Sequence, residues 1–214
     1  MFQKDLISPD YIEQGQIGDC YFISALSRIA QESHLIPSRF ERKIPNKILG
    51  KVENSINLEC GAVVIFFHYY GQSAPVLIDT LIPMKNNQFI FSRPKDNTKS
   101  AWFCLVEKAY AKLKGSYSNI VSGLLSSAIY NLFAYYPTNK KYQDLNTDIK
   151  KKKMSVFNRL LKYQNQNAVM SCSINDADET EIKKYGLVTN HDYLIMKVRQ
   201  IEGNNLICLR NPWG

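Results

Sequence analysis

A cysteine, a distant histidine and an asparagine one strand beyond it carry the chemistry of this chain. Cys20 follows Gln14-Gly15-Gln16-Ile17-Gly18-Asp19, and behind it Phe22, Ala25, Leu26, Ile29 and Ala30 recur at helical spacing. Asp19 occupies the N-cap position, which puts Cys20 in the first turn of the predicted helix. There the unpaired backbone N–H groups and the positive end of the helix dipole favour a thiolate over a thiol. A thiolate attacks carbonyl carbon, but it needs a proton-handling partner and donors for an oxyanion. Gln14 offers a side-chain amide that a glycine-containing turn folds back towards the sulfur. By itself, a cysteine among apolar helical residues is more often a small buried hydrophobe. The nucleophile reading therefore depends on a histidine and its orienting group.

The chain has three histidines. His34 lies past the Cys20 helix, too far along to reach back to the sulfur. His68 sits inside an apolar strand beside Tyr69, where a hydrogen-bonded structural histidine is the plainer reading. His191 opens a strand after Tyr185-Gly186-Leu187-Val188-Thr189-Asn190, and the hairpin partner of that strand ends at Arg210-Asn211-Pro212-Trp213-Gly214. A return of that length brings Asn211 beside His191. The Asn211 amide oxygen then fixes the imidazole tautomer while the other ring nitrogen serves Cys20. Trp213 is placed to cover the pair and exclude water, although a tryptophan at a hairpin end is commonly plain packing. Cysteine, distant histidine, then asparagine is the chain order of papain-like proteases.

Composition fits an ordinary globular protein. Over 214 residues, 45% are hydrophobic and 12% aromatic, enough for one sizeable core or two smaller units sharing a cleft. The net charge of +8 comes without an aromatic-basic motif, so nucleic acid is not an expected partner. The run Lys150 to Lys153 reads as a solvated loop or helix start. Five cysteines, odd in number and without C-x-x-C spacing, argue against a disulfide framework or structural zinc. No signal peptide or membrane-spanning segment is expected, and the protein reads as cytoplasmic. The acidic residues Asp176, Asp178, Glu179 and Glu181 fail a calcium-loop template, with Glu181 where glycine is needed and Leu187 where glutamate is needed. They read as a solvated loop.

Pro37 and Pro45 bracket a basic, irregular connection. Strands are predicted at 62–70, 76–82 and 88–91, with Gly71-Gln72 as a turn. Trp102, Leu105, Val106, Ala109, Tyr110 and Leu113 share a helical face that ends at Gly115. A second helix spans 124–133. Residues 138–153 read as a polar linker and 154–163 as a helix. Strands follow at 168–174, 192–198 and 206–209, the last two joined at Gly203-Asn204-Asn205.

Four blocks in order resemble the calpain protease core: Gln14 to Cys20, Glu107 to Lys112 with Gly115-Ser116-Tyr117, Gly186-Leu187-Val188 with His191 and Tyr193, and Arg210 to Gly214. The resemblance implies an α+β, papain-like fold of two subdomains facing a substrate cleft. The expected division is a helix-rich, Cys-bearing subdomain over 1–136 and a strand-rich, His/Asn-bearing one over 137–214. It implies Cys20 as nucleophile, His191 as general base then acid, Asn211 as its orienter, and Gln14 with the Cys20 N–H as oxyanion donors. Gly18, Asp19 and Trp213 are expected at the substrate cleft. It further implies cysteine-type endopeptidase activity on protein or peptide substrates, regulatory calcium with ligands unassigned, and a longer parent chain carrying further domains. Tyr21 stands where the family has tryptophan, Asn190-His191-Asp192 where it has Gly-His-Ala, and Ala134-Tyr135 where it has two glycines that admit substrate backbone. Two other readings compete: an inactive calpain-like binding module or incomplete fragment, and another papain-like acyl-transfer enzyme such as a deubiquitinase or transglutaminase.

Overall fold

The computed structural model describes residues 7–31, 56–57, 61–95, 101–134, 149–174 and 178–213. His34, Cys60, Tyr135, Asp176, Gly214 and the segments expected as connections over 37–45 and 138–148 lie outside the described residues. Helices and small antiparallel sheets make an α+β architecture. The chain divides into two compact units, Met1–Pro137 with Pro212–Gly214, and Thr138–Asn211. Among the described residues no helix is long and apolar enough to cross a membrane.

In the first unit, β1 (Ile12–Glu13) precedes α1 (Cys20–Gln31). Next come β2 (Ile56–Asn57), β3 (Ala62–Tyr69), β4 (Gln72–Asp79), β5 (Met84–Lys85), β6 (Gln88–Phe89) and β7 (Arg93–Pro94). They are followed by α2 (Trp102–Lys114) and α3 (Leu125–Phe133). Strands β2, β3 and β4 form an antiparallel sheet with β3 in the middle, while β1 pairs with β7 and β5 with β6. The β3–β4 turn falls on Tyr70 and Gly71, both at positive φ, as a two-residue hairpin turn requires. Strand β4 therefore starts and ends earlier than its β-branched residues indicate. Pro75 is tolerated because β4 is an edge strand.

Helix α1 is buried on nearly every side, from Tyr21 through Ser27 and again at Ile29 and Ala30. Phe22 stacks on Tyr110 of α2 with ring centroids 4.0 Å apart, and Phe67 of β3 meets the same ring at 5.7 Å. Burying each of these side chains is worth roughly 1.5–3 kcal/mol, so this aromatic cluster ties three elements together. The Tyr110 hydroxyl donates to Asn131 Oδ1, and Asn131 Nδ2 donates to the His68 carbonyl, which brings in α3. Helix α2 ends at Gly115, whose φ of 102° suits glycine.

The second unit contains α4 (Ile149–Asn165), β8 (Ser171–Ile174), α5 (Glu179–Lys183), β9 (His191–Ile201) and β10 (Asn204–Arg210). Its antiparallel sheet runs β10-β9-β8. Phe157, Ile195 and Val198 form its core, with Leu160, Leu161, Met170, Cys172 and Leu209 packed around them. The Gln164 amide bonds both backbone groups of Val198 at 3.1 and 2.6 Å, locking α4 to β9. Helix α4 begins ahead of its apolar residues, so Lys150 to Lys153 belong to its first turns rather than to a linker. The acidic run also turns helical: Asp178 caps α5 by accepting from Thr180 N at 2.8 Å. The β9–β10 turn falls on Glu202 and Gly203, and both strands are longer than expected.

Candidate active site

The loop before α1 is held by backbone packing. A Cβ on Gly15 would lie 1.9 Å from the Phe91 carbonyl oxygen, so only glycine lets the two chains approach. Next to it, Gln16 N donates to Ile90 O at 3.0 Å. Gln14 N donates to Pro212 O at 3.1 Å, and Gln14 Nε2 donates to Ile17 O at 2.7 Å. The amide thus closes the loop with one N–H and retains a second donor on the same nitrogen. Gly18 is exposed, and its carbonyl accepts from Ser122 N at 2.8 Å.

Cys20 is the first residue of α1 and is partly exposed. The Asp19 carbonyl starts the helical ladder, accepting from Phe22 N at 2.8 Å and Ile23 N at 3.1 Å. The Asp19 carboxyl does not cap the helix, because neither oxygen receives a hydrogen bond from a protein donor. At 0% exposure it is buried beside Glu107 of α2. Desolvation first, and the neighbouring Glu107 second, push the Asp19 carboxyl well above the ordinary carboxylate range. Burial also raises Glu107, with the neighbouring Asp19 side chain and the hydrogen bonds from Ser92 opposing the rise. Tyr21 fills the space over Gly123, where an added Cβ would lie 2.5 Å from its ring. Trp213 is half exposed at 50%.

In the second unit, His191 opens β9 and is buried. Its Nε2 lies 2.9 Å from Asn211 Oδ1, just past the end of β10. Because Oδ1 only accepts, Nε2 carries the proton and Nδ1 is the basic nitrogen. Tyr193, two residues along the same strand face, presents its edge to the imidazole at 5.0 Å and accepts from Val188 N through its hydroxyl. Asn190 holds the preceding backbone at φ 51° and donates to Ile174 O at 2.7 Å. Strand alternation turns Asp192 away from the His191 face. Burial raises the Asp192 carboxyl, with the neighbouring His191 opposing the rise.

The sequence-predicted residues thus separate by unit: Gln14, Gly18, Asp19, Cys20 and Trp213 in the first, His191 and Asn211 in the second. Sequence reasoning missed the Asp19–Glu107 contact, since nothing local to either residue announces it. Among the described residues no three His, Cys, Asp or Glu side chains converge to hold a metal ion, and no calcium ligand is assigned.

The whole chain, residues 1–214, matches the family model described as calpain family cysteine protease. It is 34% identical over 209 residues to calpain clp-4 of Caenorhabditis elegans, covering 95% of this chain and 27% of that protein. It is 30% identical over 230 residues to calpain-5 of Mus musculus, covering 98% of this chain and 35% of that one. It is 26% identical over 207 residues to the calpain-type cysteine protease DEK1 of Arabidopsis thaliana, with 97% and 9% covered. The chain therefore spans about a third or less of the length of these relatives. With a cysteine at the start of a buried helix and a histidine bonded to an asparagine, the chain belongs to the calpain family of cysteine proteases.

Proposed function

We propose that this chain is a cysteine endopeptidase domain that hydrolyses protein or peptide substrates through Cys20, His191 and Asn211. The observation that carries the reading is the 2.9 Å bond from His191 Nε2 to Asn211 Oδ1, which fixes the tautomer that a general base requires. His191 Nδ1 takes the thiol proton, and Cys20 Sγ bonds to the substrate carbonyl carbon. The tetrahedral oxyanion is met by the Cys20 N–H and the second N–H of Gln14, a donor worth roughly 3 kcal/mol. His191 then gives its proton to the departing amine, and a water molecule, deprotonated by His191, cleaves the thioester. In this reading the two units are the papain-like subdomains. Calcium dependence, a cytoplasmic setting and further regulatory domains complete the proposal. They are supported by family membership, by the free thiols of Cys20, Cys104, Cys172 and Cys208, and by the greater length of the relatives.

The test is casein cleavage by the 214-residue chain with calcium and with chelator, alongside Cys20→Ser and an epoxide thiol inhibitor. Calcium-dependent cleavage, abolished by the substitution, and inhibitor attached to Cys20 alone are expected. Cleavage surviving in Cys20→Ser, or equal labelling of every cysteine, overturns the reading.

A further inference from the structure

Among the described residues of the first unit, Asp19 and Glu107 are the two carboxyl groups buried almost completely, at 0% and 1% exposure. One precedes α1 and the other sits within α2, and they lie side by side. Glu107 is well supplied with donors. Ser92 N reaches its two oxygens at 3.2 and 3.0 Å, and the Ser92 hydroxyl donates to Oε2. Asp19 has no such supply: neither of its oxygens receives a hydrogen bond from a protein donor, and the Glu107 carboxyl and Gln14 amide are its polar neighbours. Among the described residues no lysine or arginine forms an ion pair with either acid. Among the described residues, the other titratable groups near the pair are Tyr21, Cys104 and Tyr117. Burial keeps Tyr21, Cys104 and Tyr117 in their neutral forms.

Two adjacent carboxylates in a dry site repel too strongly for both to ionise, whereas one proton between them turns the repulsion into a hydrogen bond. The Ser92 donors on Glu107 stabilise charge there, whereas on Asp19 only its own backbone and the Gln14 amide oppose burial and the neighbouring carboxyl. We propose that Asp19 and Glu107 share one proton carried on Asp19, and that Asp19, neutral in this way, is a positioning residue acting through Cys20. The single negative charge is then kept on Glu107, away from the start of α1. An ionised Asp19, one residue before the sulfur, would oppose the thiolate that the helix N-terminus favours. This inference rests on the reading of Cys20 as nucleophile.

The test is the pH dependence of Cys20 alkylation by iodoacetamide, read by mass spectrometry on the whole chain. Asp19→Asn, a stand-in for the neutral acid, is expected to keep the wild-type midpoint. In Glu107→Gln the new amide donates to Asp19 and ionises it, moving the midpoint up by about one pH unit. The double substitution is expected to return it. A merely structural role for Glu107 would change the rate at every pH without moving the midpoint, and the second substitution would not rescue it. A double variant that stays with Glu107→Gln, or an Asp19→Asn midpoint displaced as far, overturns the proposal. Should the variants fail to fold, isotope-edited infrared of wild-type protein with labelled aspartate decides. A protonated carboxyl band at neutral pH supports the proposal, and its absence overturns it. Peptide cleavage by His191→Ala separates the two readings: undiminished cleavage overturns the triad and leaves the carboxyl comparison standing.

Discussion

His191 Nε2 and Asn211 Oδ1 lie 2.9 Å apart across the open end of the β9–β10 hairpin. That bond orients the imidazole; Asn211 transfers no proton. Asn211→Ala is expected to lower kcat about 100-fold, the scale of a misplaced catalytic group. KM should change little. Steady-state kinetics on a peptide substrate checks this, and an unchanged kcat would remove Asn211 from the proposed machinery.

Gly15 lies against the Phe91 carbonyl with no room for a methyl group. Gly15→Ala is expected to destabilise the chain by about 1–3 kcal/mol, the usual cost of overpacking, and to shift the Gln14 loop. Urea unfolding measures the first effect. A midpoint equal to the wild type would mean that the loop can move aside.

Ala134 ends α3 in the left-handed region, at φ 59° and ψ 20°. Glycine adopts that conformation without the Cβ penalty, although it loses more entropy on folding. Ala134→Gly is expected to stabilise by a few tenths to about 1 kcal/mol. Thermal unfolding should show a small rise in Tm; a fall would indicate that the alanine methyl group is packed.

The Asp19 carboxyl is held above the ordinary range by burial and by Glu107, so the folded chain keeps a proton that the unfolded chain releases above about pH 4. Stability from this group is therefore lost as pH rises from that value through the folded pKa. Asp19→Asn titrates in neither state. It is expected to be more stable than the wild type at neutral pH, with the gap closing towards pH 4 in denaturant titrations. A gap independent of pH would sink this account.

Thiol reactivity should divide by environment. Burial pushes Cys104 up to about 12 and Cys172 up to about 11, which leaves both as thiols at neutral pH. Cys20 is partly exposed at a helix start and Cys208 is exposed. Brief treatment with iodoacetamide is expected to modify Cys20 and Cys208 and spare the other two. Early modification of Cys104 would contradict the burial seen here.

Where the governing interactions are short in sequence, the residues alone were enough. The apolar spacing from Trp102 to Leu113 with Gly115 behind it specified α2. The Cys20 helix begins at the residue its loop and periodicity indicate, and the hairpin length places Asn211 beside His191. Two-residue turns were harder: Tyr70-Gly71 and Glu202-Gly203 set the register of their hairpins through backbone twist, which composition marks only loosely. Helix α4 drew in the Lys150 run, and a capping Asp178 turned an acidic stretch into α5. Asp19 shows the limit most clearly. Its position before α1 could be read from sequence, but the direction of its carboxyl could not. That was decided by Glu107, brought from far along the chain when α1 and α2 packed their aromatic faces together, because burial is a property of the assembled core.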